Sequence, residues 1–178
     1  MNRDVERFLD TLPIGDSRAL EVSGWAHEPR PWKSYRSTTY PEFDLCTREP
    51  IEPSAEVVIC EQVLEHLPDP VQATRNLFAS LEPGGHAIVS VPFMIRIHKE
   101  PGDYWRFSAD GLRALLENAG FEVLESKTWG NRLAALANMW FWFPYIPLLC
   151  PLLNNPKIPL VVWAFARRPE TAQSQAQP

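Results

Sequence analysis

Apolar residues along this chain fall into short continuous runs separated by stretches of helical spacing. ALEVS (19–23), AEVVIC (55–60), HAIVSV (86–91) and LVVWAFA (160–166) are such runs, each bounded by turn residues, and FEVLES (121–126) reads as a further strand. Runs of this length and apolarity predict strands buried on both faces of a sheet. Between them the period lengthens. Asp69 is placed to N-cap a helix that opens on Pro70, turns Val71, Leu77, Phe78 and Leu81 inward, and stops at Pro83-Gly84-Gly85. Ser108 caps a second helix, with Leu112, Leu115, Leu116 and Ala119 on one side and Gly120 closing it. Near the N-terminus Val5, Phe8, Leu9 and Leu12 mark one face of a short helix that Pro13 and Gly15 end, set to flank or cover the domain. Strands alternating with helices imply right-handed crossovers and a mainly parallel sheet, an α/β sandwich. Ligands of such sheets bind at the carboxyl ends of the strands. That rule singles out Ser23 and Gly24, Asp44, Cys60 to Gln62, and Pro92 onward.

Composition limits what such a sheet can serve. A chain of 178 residues suits one core, so residues 1–170 are expected to form a single domain, with the polar TAQSQAQP (171–178) a disordered tail. With a net charge of -5, and Lys33, Arg36, Arg167 and Arg168 scattered, there is no basic footprint for nucleic acid. Cys46, Cys60 and Cys150 are too few and too far apart for a disulfide framework or a CxxC metal site, which points to reduced thiols and a cytoplasmic location. MNRDVERFLD carries acids and lacks the apolar stretch of a signal peptide.

The run EVVICEQVLEHLPDPVQATRNLFASLEPGGHAIVSVPF supplies Cys60-Glu61-Gln62 after a strand, then Leu64-Glu65-His66, a helix, Leu81-Glu82-Pro83-Gly84-Gly85 and the next strand. In this order the pieces resemble the second half of class I S-adenosylmethionine-dependent methyltransferases of the type 11 group, strongly over residues 55–93 and more weakly over about 18–128. The resemblance implies a compact Rossmann-like methyltransferase sandwich with S-adenosylmethionine as cofactor. A narrower likeness lies in IHKEPGDYWRFS, where His98, Pro101, Asp103, Tyr104, Arg106, Phe107 and Ser108 match a segment found in methyltransferases of polysaccharide and glycolipid pathways. Its position implies the substrate side.

Two departures from the family pattern stand out. The first motif of these enzymes alternates glycines after an acid, so that the chain turns tightly and its backbone approaches the cofactor. With Glu21 as the acid, Ser23, Trp25 and His27 occupy the glycine places and Gly24 falls between them. The second departure is spacing: only about 35 residues separate Glu21 from EVVIC, whereas two crossovers need roughly 60. HEPRPWKSYRSTTYPEFDLC is poor in helix formers, which predicts a first crossover helix reduced or missing and SYRST and FDL as short strands joined directly. Asp44, with Leu45 beside it, would then end a strand and reach the ribose or the adenine amine. The alternative is that Glu21 and Asp44 cap turns.

The resemblance assigns the cofactor to Glu21, Ser23, Gly24, Asp44, Leu45, Cys60, Glu61 and Gln62. Cys60 reads equally as a buried strand residue that offers only its backbone. Glu65 and His66 resemble part of an acid-acid-His metal site of some quinone-pathway methyltransferases. Gln62 stands where the first acid belongs, so they are read as helix-start hydrogen bonding and no metal is expected. Histidine's unperturbed pKa lies near neutrality, so the residue type of His98 suits a general base, with Asp103 as its partner; Asp103 equally suits a loop brace. Tyr104, Trp105 and Phe107 form a substrate wall or seal the core. Arg106 binds a substrate phosphate or carboxylate, or pairs with Asp103 or Asp110. Methyl transfer from a sulfonium needs orientation and dryness more than a triad, and no triad is seen.

Before the last strand comes an insert, residues 131–158, rich in Trp, Phe, Leu and Pro. MWFWFPYIPLLCPLL is free of charge but, at 15 residues, too short and too rich in proline to span a bilayer. It reads as a lid, a homodimer surface through 139–153, an interfacial segment at a membrane, or a cover for the sheet face that the absent helix leaves bare. The chain thus reads as an O- or N-methyltransferase acting on a small molecule, saccharide or glycolipid, cytoplasmic or peripheral at the membrane. The competing class is a non-catalytic relative that binds or assembles.

Overall fold

The computed structural model describes residues 1–99, 102–140 and 154–170. The expected tail at 171–178, Pro101 and residues 141–153 of the insert lie outside the described residues, and with them most of the surface at 139–153 expected for membrane or homodimer contact.

Six strands form one sheet: β1 Arg18–Val22, β2 Ser34–Thr38, β3 Ala55–Glu61, β4 Leu81–Pro92, β5 Glu122–Trp129 and β6 Val161–Arg167. Their order is β2-β1-β3-β4-β6-β5. β1, β2, β3 and β4 pair in parallel, and β6 inserts antiparallel between β4 and β5. The expected α/β architecture with a mainly parallel sheet is therefore the observed one.

Helices α1 (Asn2–Leu9), α2 (Pro70–Ser80), α3 (Ala109–Asn118) and α4 (Arg132–Trp140), with short 3-10 turns at Ile14–Asp16 and Leu64–His66, complete the described elements. Val57 and Ile59 of β3 point to one face, where Val5 and Leu9 of α1 bury against them with Ile88, Trp163 and Phe165. Val58 and Cys60 point to the other, against Leu77 of α2 and Leu112 and Leu116 of α3. This period-two division is why the strand runs read as continuously apolar.

Local signals set the helix ends. The Asp69 side chain accepts from Gln72 N, and Pro70 fills the first helical position. Ser108 accepts from Gly111 N in the same way. Val71, expected inward, is 45% exposed, because the buried stripe of α2 runs through Ala73, Thr74, Asn76, Leu77 and Ser80. The helix stops at Ser80, and Pro83 to Gly85 already belong to β4. A Cβ at Gly85 would lie 2.9 Å from the carbonyls of Glu56 and Glu82, so only glycine lets the strands approach there.

No helix joins β1 to β2; residues 26–29 form turns, as the short spacing predicts. FDL, however, is not a strand. Thr47 N donates to the Asp44 carbonyl and Cys46 N to Asp44 Oδ1, so the backbone closes a turn on itself and leaves no ladder to extend. The turn is anchored on α2: Leu45 is buried, and Asn76 Nδ2 donates to its carbonyl at 2.8 Å. Among the described residues no helix is long and apolar enough to cross a membrane.

Candidate active site

The carboxyl ends of β1 and β3 lie side by side, Val22 paired with Cys60. Each is followed by a residue in the left-handed region, Ser23 at φ 54 and Gln62 at φ 56. Non-glycine residues adopt this conformation rarely and gather at functional sites. Both turns are tied to neighbouring strands, Ser23 N to Thr38 O at 2.6 Å and Gln62 N to Ser90 O at 2.8 Å. The amide of Gln62 donates to Ser90 Oγ, which turns it along the strand edge.

Glu21 is buried, and its carboxylate accepts from Ala26 N, His27 N and the Tyr35 hydroxyl. These bonds brace the loop after β1 in place of the missing glycine turns. Burial and the bond to Glu21 raise the Tyr35 hydroxyl well above its ordinary pKa. A Cβ at Gly24 would lie 2.6 Å from Glu21 Oε1, so the glycine between the displaced motif positions is what admits the brace. Trp25, which displaces a motif glycine, points outward at 70% exposure, and His27 turns in to meet Glu61. Cys60 is fully buried, and burial pushes its thiol up, which leaves it inert. Asp44 is exposed and caps its own turn, so it does not end a strand as expected; Leu45 beneath it is core.

The second half of the site hangs on the loop after β4. Asp103 Oδ2 accepts from His98 N at 2.8 Å and from Arg106 Nη2 at 2.8 Å, while Arg106 Nη1 closes on Oδ1. This fork holds the Asp103 carboxyl far below the usual carboxylate range. Arg106 is thereby paired with Asp103, the second of its two expected roles. His98 Nδ1 lies 3.5 Å from Asp103 Oδ2, and His98 Nε2 lies 3.9 Å from Glu65 Oε1.

Glu65 sits in a 3-10 turn, Leu64–His66, directly after β3. Its side chain is fully buried, with no hydrogen-bond partner for either oxygen, and burial pushes its pKa up to about 7. His66 Nε2 lies 3.6 Å from Glu65 Oε1, and His66 Nδ1 bonds the Gly102 carbonyl. The rings of His66 and His98 meet edge to face at 4.9 Å. Tyr104 N donates to the Glu65 carbonyl and Trp105 Nε1 to the Leu67 carbonyl, pinning this loop to the turn after β3. Tyr104 and Trp105 expose most or much of their rings at its rim, while Phe107 packs toward the core.

Of the residues named from sequence, the fold gathers Ser23, Gly24, Glu61 and Gln62 at one strand edge and His98, Asp103 and Arg106 at the next. Reasoning from sequence missed the Tyr35–Glu21 and His27–Glu61 contacts and the approach of His98 to Glu65 and His66. The LEH motif signalled the last two residues, but nothing in spacing brings His98 to them.

The fold and this edge define a Rossmann-like methyltransferase. Over 92% of its length the chain superposes on the S-adenosylmethionine-dependent methyltransferase from Mesorhizobium loti, covering 96% of that structure at a TM-score of 0.59 and 15% identity. The methyltransferase-domain family model matches residues 8–126, and the chain belongs to that family, whose cofactor is S-adenosylmethionine. It is 42% identical over 57 residues to the ubiquinone biosynthesis O-methyltransferase of Marinobacter nauticus, 32% of this chain and 23% of that one. It is 40% identical over 76 residues to the probable S-adenosylmethionine-dependent methyltransferase of Mycolicibacterium smegmatis, 39% of this chain and 30% of that one. The match thus spans less than a third of either curated relative.

The described residues fit that cofactor. Two adjacent strands end in left-handed turns at the carboxyl edge, the place where such sheets bind nucleotides, with a brace behind them and the Glu61 carboxylate at 20% exposure in front.

Proposed function

We propose that this protein methylates an oxygen or nitrogen of a small molecule, saccharide or glycolipid. The observation that carries the reading is the position of the titratable cluster of Glu65, His66, His98 and Asp103. It hangs from the turns after β3 and β4, beside the strand ends that the fold reserves for the cofactor. The cofactor supplies an activated methyl group when bound.

Ser23, Gly24, Glu61 and Gln62 would hold it, and Asp44 and Leu45 would border it from the turn on α2. On the acceptor side Tyr104 and Trp105 offer flat apolar surface suited to a sugar ring or aromatic acceptor. The acceptor's proton leaves toward the His98 cluster, with Asp103 bracing the His98 backbone N–H and lying 3.5 Å from the ring's Nδ1. The lipid-linked version of the acceptor is supported by the Trp-rich insert and by the likeness of residues 97–108 to glycolipid-pathway enzymes.

Calorimetric titration with S-adenosylhomocysteine tests the cofactor half. Micromolar binding that weakens at least tenfold in Gly24→Val is expected, since the new side chain evicts Glu21 from its brace. Transfer of labelled methyl from S-adenosylmethionine to a panel of hydroxylated and amino acceptors tests the rest. Absence of cofactor binding in a folded sample would instead favour the non-catalytic relative, a reading that the displaced glycines support.

A further inference from the structure

We propose that Glu65, His66 and His98 form a binding site for one zinc-type divalent cation, with a fourth coordination position left open. The proposal goes beyond methyl transfer and stands independently of it. Glu65 Oε1, His66 Nε2 and His98 Nε2 each offer a ligand atom, all within 4.8 Å of one another. The separations from Glu65 Oε1, 3.6 Å to His66 and 3.9 Å to His98, are too long for hydrogen bonds. They approach the ~3.3 Å expected between two ligands of a tetrahedral ion with bonds of about 2.0–2.2 Å. A contraction of a few tenths of an ångström would bring these two pairs there, and the ligand nitrogens of His66 and His98, within 4.8 Å of each other, would draw together by up to about 1.5 Å.

The second observation is Glu65 itself. A fully buried carboxyl group whose oxygens accept no hydrogen bond is costly unless it is paired or coordinates a metal. Here it faces two imidazoles and no donor to either oxygen.

The surroundings of the two histidines complete the pattern. His66 Nδ1 bonds the Gly102 carbonyl, and a carbonyl only accepts, so Nδ1 carries the proton and Nε2 presents its lone pair to Glu65. His98 has the Asp103 carboxylate behind its Nδ1 and backbone N–H, and Arg106 fixes that carboxylate in turn. Carboxylates and carbonyls behind metal-bound histidines orient the ring and raise its basicity. Two imidazoles and one carboxylate are the donor set that suits zinc, and three protein ligands leave a position for water or an acceptor oxygen. A bound oxygen at the open position would lose its proton more readily.

The test is zinc binding to the full chain after chelator treatment, measured by competition with a chromophoric chelator, with the cobalt(II) absorption spectrum as a report of coordination. One ion per chain at submicromolar Kd is expected, with tetrahedral cobalt bands. Glu65→Gln, His66→Ala and His98→Ala should each weaken binding at least 100-fold, and Asp103→Asn about tenfold. His86→Ala, outside the cluster, should leave it unchanged. Because His98 is the least buried ligand, His98→Ala decides the matter if the buried variants fail to fold. No stoichiometric ion in the folded protein, or binding indifferent to His98→Ala, would overturn the proposal and leave a proton shared among the three groups. Neither outcome depends on cofactor binding or methyl transfer.

Discussion

His27 Nε2 lies 3.1 Å from Glu61 Oε2, and this contact ties the loop after β1 to the end of β3. The histidine stands where the family pattern would put a glycine. Its ring is nearly buried and takes over part of the work of holding the loop against the sheet.

The pair should make stability depend on pH. Burial opposes charge on His27, but the bond to Glu61 and the fields of Glu61, Glu21 and Glu6 outweigh it, and its pKa is raised. Below the ordinary value near 6.5 the imidazolium is present in folded and unfolded chains, and the pair contributes fully. As pH climbs through the raised folded value the proton is lost, and the contribution with it. The difference in melting temperature between wild type and Glu61→Gln should therefore be largest below about pH 6.5 and shrink above it. A difference that stays flat from pH 5.5 to 9 would contradict this.

Tyr35→Phe removes one donor, at 2.7 Å, from the buried Glu21 carboxylate and leaves the two backbone donors. Bonds to charged groups contribute roughly 1.5–3 kcal/mol, so a loss of that size is expected in urea unfolding. Gly24→Ala should cost a similar amount by pushing Glu21 aside. Combining the two should give less than the sum, because both act on one carboxylate.

Asp103→Ala strips the acceptor from His98 N and leaves the Arg106 guanidinium without its carboxylate. A loss of roughly 2–4 kcal/mol is expected, since the aspartate is buried and Arg106 partly so. Asp103→Asn keeps an acceptor oxygen and should lose clearly less. Equal losses in the two variants, read from urea midpoints, would mean that charge is all that matters there.

Leu116→Ala tests the packing of α3 on the sheet. The side chain is fully buried in the core cluster that α3 shares with the sheet, and its truncation should cost about 2–5 kcal/mol without moving the cofactor edge. The readout is a lowered melting temperature with unchanged affinity for S-adenosylhomocysteine.

Much of this was legible in the chain because it rests on local rules. The strand runs are apolar throughout since β3, β4 and β6 are covered on both faces, and the caps at Asp69 and Ser108 close hydrogen bonds within three residues. The missing first helix followed from a residue count. Val71 and the FDL segment show where local rules end. Which stripe of α2 is buried depends on the sheet beneath it, and FDL closes on itself because Leu45 is drawn under α2. The sequence by itself therefore determined the family, the sheet and the candidate residues, each from signals a few positions apart. Only the tertiary structure decided that His27 faces Glu61, that Arg106 is paired with Asp103, and that His98 meets Glu65 and His66. Those contacts join turns after different strands, and such juxtaposition is fixed by how the strands are ordered in the sheet.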